Sequence, residues 1–247
     1  MHLRILVIIF LFLSGYTFSQ KTEGLTTVKD SLKVDGSLSL MANFQTGTID
    51  ETLLTGRGEI NFKKNNNRLN LGLNYKFLSV EDFELDSDYY VHASYNLKEH
   101  NKLYFTYSVN ISKANSYSLD YAFLTGPGVA WNIHQKSEQN YVDLGIYVGY
   151  MAVKFAPFNK HESASTGLRL RSHFPVTKTM GIRYSIDTYL SFSDSDYSGI
   201  ESRLDVFFDI SKSLKFNISY SVWHNSKEVP MAEKTNSVLT PGLTLNF

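Results

Sequence analysis

The 247-residue chain contains no cysteine. That excludes disulfides, thiolate chemistry and the lipidated cysteine of a lipoprotein anchor. Lysine plus arginine and aspartate plus glutamate balance at 24 each. Without a basic excess, nucleic acid is not an expected partner. Proline is scarce, at five residues, so long extended segments meet few interruptions. Long apolar runs are scarce as well: Ile5 to Leu13 is unbroken, but a helix crossing a hydrocarbon core takes about 20 apolar residues. Beyond it there is no run of membrane-helix length and no sustained i, i+3, i+4 apolar stripe. Helical membrane spanning is thereby excluded.

What is present begins with a short basic start (His2, Arg4), the apolar run and small residues at Thr17 and Ser19. This pattern predicts a secretory signal peptide over residues 1–19, cleaved before Gln20. A short periplasmic segment, 20–33, is expected to follow, and then one domain, 34–247.

The chain is rich in tyrosine and phenylalanine, 16 and 17 residues, and the domain reads as about twelve alternating segments. They are expected at Val34–Gln45, Leu53–Lys63, Arg68–Leu78, Asp88–Leu97, Lys102–Ser112, Tyr117–Ile133, Tyr141–Lys154, Ser165–Phe174, Met180–Phe192, Ile200–Ile210, Leu214–Trp223 and Ser237–Phe247. Strand side chains alternate with period two. One face of each segment is therefore apolar, as in Leu103, Phe105, Tyr107, Val109 and Ile111, and the other carries the charges. A soluble sandwich shares that alternation. Three features favour a membrane barrel instead. Aromatic residues sit at segment ends (Phe44, Phe62, Tyr89, Tyr117, Trp131, Phe174, Phe192, Phe208, Phe247). Short connections alternate with longer ones at Ser79–Ser87, Ala156–Ala164 and His224–Asn236. The chain closes on Leu243, Leu245 and Phe247, which looks like the terminal signal read by the barrel-assembly machinery of the bacterial outer membrane. The expectation is an all-β fold: a single closed antiparallel transmembrane β-barrel of about twelve strands with both termini periplasmic. Two prolines inside segments, Pro127 and Pro241, each stand beside glycine and are read as bulges or bends.

Particular motifs carry a family resemblance. The turn Gln45-Thr46-Gly47-Thr48-Ile49-Asp50-Glu51-Thr52, the segment Gly126-Pro127-Gly128-Val129-Ala130-Trp131, and Pro230 with Lys234-Thr235-Asn236 before the last strand resemble the salt-induced outer membrane protein family. The similarity runs from about Val34 to Phe247. It implies an outer-membrane barrel and carries over no catalytic or ligand residue.

The candidate site is a charge network on the predicted interior faces: Arg57, Glu59, Asp143, Arg169, Arg171, Arg183, Asp187, Glu201, Arg203, Asp205 and Asp209. Unpaired interior charge is costly, so these residues are expected to pair and to fill much of the lumen, giving a structural barrel or narrow passive pore. Arg183 and Arg203 are expected to serve Asp187 and Asp205. An outer-membrane lipid hydrolase is the enzymatic alternative. It needs a His–Ser pair on the lipid-facing wall, and none is visible, because His92 and His173 fall inside and His100, His134, His161 and His224 read as loop or turn residues. His161-Glu162 is a weak metal motif, and the acidic run Glu81–Asp88 reads as a solvated external loop. No cofactor or metal is expected. The expected partners are outer-membrane lipids and the assembly machinery, with small solutes as candidates.

Overall fold

The computed structural model describes residues 31–45, 51–80, 83–99, 101–115, 118–137, 139–156, 158–227 and 234–247. The predicted signal peptide, the turn motif at 46–50, Tyr117, His100 and Pro230 lie outside them. The strands are β1 (Lys33–Gln45), β2 (Glu51–Lys64), β3 (Asn67–Val80), β4 (Phe83–Leu97), β5 (Leu103–Ala114) and β6 (Leu119–Ser137). They continue as β7 (Asn140–Phe155), β8 (His161–Pro175), β9 (Met180–Ser191), β10 (Ser198–Asp209), β11 (Leu214–Asn225) and β12 (Thr235–Asn246). Each pairs antiparallel with its sequence neighbours, and β1 pairs with β12, closing the barrel.

Alternation decides which way each strand faces, and it places the apolar set outward. Phe105 is 61 % exposed and Ile146 54 %, whereas the inward Tyr104 between such neighbours is 1 % exposed. A soluble sandwich would bury the apolar set in its core, so the exposed hydrophobic wall marks a membrane-type barrel. The aromatic ends Tyr89, Trp131, Phe174, Phe192, Phe208 and Phe247 are all exposed on that wall.

Several boundaries differ from the expectation. The stretch read as a loop from Ser79 to Ser87 is largely strand, because β3 runs to Val80 and β4 starts at Phe83; ladder pairing between the two strands continues to Val80↔Phe83 despite the carboxylates. Ion pairing draws Asp88 inward onto Lys76, 3.5 Å away. His134, His161 and His224 belong to β6, β8 and β11 rather than to loops. The prolines are not bulged. Register runs through Pro127 on the β5 side and through Pro241 on the β11 side. On the β7 side Gly126 and Pro127 lack partners but the phase is the same before and after them, and the shifts in β6 fall at Leu119/Tyr121, Asn132/His134 and Gln135/Ser137. Close backbone approach replaces the expected bulge. A Cβ on Gly126 would lie 2.2 Å from the Val148 carbonyl oxygen and 2.6 Å from Gly149 Cα. Gly126→Ala is expected to destabilise by about 1–3 kcal/mol through backbone overpacking. Gly56→Ala, with nothing within 4 Å, should be neutral or slightly stabilising; thermal unfolding in detergent compares the two.

Glycines elsewhere receive side chains from the facing strand. Tyr147 lies on Gly167, Tyr189 on Gly199, Phe207 on Gly181, His92 on Gly72 and Met41 on Gly242, each directly opposite in register. On the outer face Phe247 covers Gly36 in the same way, and these two residues exchange backbone hydrogen bonds of 2.9 and 3.0 Å.

That exchange fixes the hydrogen-bonding phase of the closing seam. If Gly36 and Phe247 form a bonded pair, so do Leu38 with Leu245 and Leu40 with Leu243, and the next bonded position is Ala42 opposite Pro241. Proline has no N–H to donate there. The paired register of the seam accordingly ends at Met41↔Gly242 after five positions, while β1 pairs with β2 along its whole length.

Candidate functional site

The inward faces converge on the charges singled out in the sequence. Register sets Arg169 beside Asp187, with Nε 2.7 Å from Oδ1, and Arg171 beside Asp143 at 3.2 Å. Arg203 contacts Asp205 on its own strand at 3.5 Å. Among the described residues, two contacts of these side chains cross the lumen. Arg57 on β2 reaches Asp205 on β10 at 4.0 Å, and Arg171 on β8 donates to the Tyr104 hydroxyl on β5 at 3.0 Å. Neither pair of strands is adjacent in the ring, so these contacts are chords through the interior. Asp205 is therefore shared by two guanidiniums.

Other members of the set stand apart. Among the described residues, Arg183 and Glu201 have no opposite charge within 4.0 Å and both are solvent-open on the lumen side. Arg183 does not serve Asp187, which Arg169 occupies, although it lies opposite Asp205 in register. Glu201 faces Asp187 on one side and Trp223 on the other. Glu59 sits near the His92–Gly72 contact, and Asp209 pairs with Lys215 at 3.2 Å beside the short turn between β10 and β11.

The lumen is unequal along its length. Toward the end where β1 begins and β12 ends it is packed with polar groups: Asn96 donates to Glu99 at 2.9 Å, Arg68 pairs with Glu99 at 2.9 Å, and His173 packs edge-on against Phe207. Toward the opposite end a cavity of about 220 Å³ opens. Its floor carries Arg57, Arg203 and Glu201, and Met41, Leu124, Val153 and Val238 contribute apolar wall. At the rim Leu119, Met151, Val153 and Phe155 cluster with Tyr197.

The sequence did not foresee His161 beside Ser191. His161 Nε2 lies 2.9 Å from Ser191 Oγ, and its ring stacks on Tyr197 with centroids 3.9 Å apart. Both point inward, unlike the lipid-facing pair a wall-mounted hydrolase needs. Ser191 Oγ is committed: it accepts from the Ser193 and Asp194 amides at 3.3 and 3.2 Å and donates to Ser163 at 2.9 Å, and the residue is 4 % exposed. This describes a turn anchor better than a nucleophile. Glu162 points outward and accepts from Tyr150 at 2.7 Å, which splits the His161-Glu162 metal motif between two faces. Lys160, in the adjoining loop, is held above the usual lysine pKa by its hydrogen bond to Glu162.

Comparison with known proteins bears on fold and family. A model of the family described as a protein of unknown function, DUF481, matches residues 38–247. No curated relative matches the chain. Among solved structures, the NanC porin is similar with a TM-score of 0.50 at 10 % identity, covering 86 % of this chain and 99 % of that one. An outer-membrane channel from Pseudomonas putida F1 is similar with a TM-score of 0.50 at 12 % identity, covering 93 % of this chain and 100 % of that one. At these identities the likeness is one of fold: a closed barrel of the outer-membrane porin and channel type.

Proposed function

Because the chain belongs to the DUF481 family of proteins of unknown function, we propose that it is a bacterial outer-membrane barrel acting as a narrow passive pore, its lumen closed at mid-height by its own side chains. The observation that carries this reading is the pair of chords, Arg57 to Asp205 and Arg171 to Tyr104, above a packed polar half. A twelve-stranded ring is wider than the eight-stranded barrels that side chains simply fill and narrower than sixteen-stranded open porins. Long side chains reaching across it are therefore what decides conduction. We place the protein, on its Gly126-Pro127-Gly128 and terminal motifs, with the salt-induced outer membrane proteins. Export by the N-terminal signal, insertion by the barrel-assembly machinery and a non-enzymatic role belong to the same reading.

Planar-bilayer recording tests it. The wild-type barrel is expected to show little or no steady conductance. Arg203→Gln leaves Asp205 with a single ion pair, to Arg57 at 4.0 Å, and should produce a cation-selective leak. Arg183→Gln removes no ion pair and should change conductance much less. A large, stable wild-type conductance that Arg203→Gln leaves unaltered rejects the closed lumen. Lipid hydrolysis by the purified protein, abolished by His161→Ala, would replace the pore by an enzyme.

A further inference from the structure

We propose that the unpaired half of the β1–β12 seam is a lateral portal, through which a single-chain amphiphile with a cationic head passes between the surrounding lipid and the lumen cavity, its head received by Glu201. The inference rests on the membrane placement argued above. It does not depend on whether the lumen conducts.

The wall supplies the first half of the argument. A barrel seals itself by ladder hydrogen bonds, since unsatisfied backbone groups are costly in hydrocarbon. Here the register stops at Met41↔Gly242, because the next bonded position offers proline. Below that point the two strands are pressed together: a Cβ on Gly242 would lie 2.3 Å from Met41 Cγ and 2.5 Å from the Leu40 carbonyl oxygen. Above it, Ala42–Gln45 and Thr235–Pro241 have no registered partner across the seam. The cavity lies directly behind this stretch, with Met41, Val238 and Thr240 among its lining residues.

The cavity supplies the second half. From the seam, Val238 on β12 stands opposite Ser221 on β11, and two residues along β11 Trp223 stands opposite Glu201 on β10; Val238, Ser221, Trp223 and Glu201 all line the cavity. Glu201 is the floor carboxylate with no counter-ion within 4.0 Å among the described residues, whereas Asp187 is held by Arg169 and Asp205 by Arg203. Trp223 stands opposite it, and Tyr189 lies over Gly199, two residues along the same face. A carboxylate flanked by aromatic faces is a site for an alkylammonium group, through charge and cation–π attraction. Met41 and Val238 on the seam strands and Leu124 and Val153 on the far wall are the apolar side chains between which a hydrocarbon tail lies.

The chain has two tryptophans and no cysteine, so it provides its own reporter and a clean background for a lock. In a Trp131→Phe background, reconstituted in liposomes, emission comes from Trp223 alone. Brominated dodecyltrimethylammonium is expected to quench it saturably and at least about tenfold more tightly than brominated dodecanoate. Glu201→Gln should weaken the cation about tenfold, and Glu201→Asp should retain it. A disulfide between Asn43→Cys and Thr240→Cys, the next non-bonded pair above Met41↔Gly242, should slow the onset of quenching about tenfold, with recovery on reduction. Quenching that never saturates, or that Glu201→Gln leaves unchanged, reduces the signal to lipid partition and overturns the site. Tighter binding of dodecanoate overturns the head-group charge. Equal rates with and without the disulfide overturn the seam as the route. A conducting wild-type barrel would defeat the closed lumen and leave each of these outcomes readable.

Discussion

Replacing Asp205 by asparagine is expected to destabilise the barrel by about 3–5 kcal/mol, the range for removing one partner from a buried ion pair. The effect should lie at the upper part of that range for a structural reason. Asp205 is the common counter-ion of Arg57 at 4.0 Å and Arg203 at 3.5 Å, and its side chain is only 11 % exposed. Asparagine keeps the shape and removes the charge, which leaves two guanidiniums facing each other across the lumen. Unfolding in detergent reads the loss. The double variant Asp205→Asn with Arg57→Gln should recover part of it, because one of the stranded cations is gone. Equal stability of wild type and Asp205→Asn would show that lumen water, rather than the carboxylate, neutralises these arginines.

Ile146→Arg on the outer wall is expected to cost about 2–4 kcal/mol, the value for a basic residue at the bilayer midplane of a membrane barrel. Ile146 is 54 % exposed near the middle of β7. The matched control is Ser112→Arg, which turns the same side chain into the lumen cavity, on the side where Asp88 also lines it. Folding into liposomes should be impaired for the first and largely preserved for the second. Similar damage from both would mean that the exposed apolar wall does not face lipid. Ser219, the control that parity alone suggests beside Ile218, is 1 % exposed and is therefore the more crowded site.

Face assignment was legible because it depends on one-dimensional alternation. Each charge from Arg57 to Asp209 lies on the predicted side, and the apolar rows of β3, β5 and β7 on the other. Strand ends were less legible, since loop propensity and ladder pairing compete over a few residues. At Ser79–Ser87 pairing with the neighbouring strand prevails. Cross-lumen partners were not legible. Nothing in the local pattern links Arg171 to Tyr104 or His161 to Ser191, because those distances depend on barrel curvature and strand stagger. The two prolines were visible as anomalies, but whether the missing donor meets a bulge or an unpaired seam depends on hydrogen-bonding phase. For Pro241 that phase emerges only once Gly36 is seen to pair with Phe247.

The side chains resting on glycines bear on how assembly finds one arrangement among near-equals. Alternation forbids a slip of one residue, which would turn every apolar group inward, but it is blind to a slip of two. Tyr147 displaced by two along β8 would meet Ser165 or Arg169 instead of Gly167, and Tyr189 displaced along β10 would meet Tyr197 or Glu201 instead of Gly199. Each ring fits only where its neighbour has no side chain. With such pairs at β3–β4, β7–β8, β9–β10 and the closing strands, the barrel carries a set of steric notches that proofread the two-residue error as each hairpin zips.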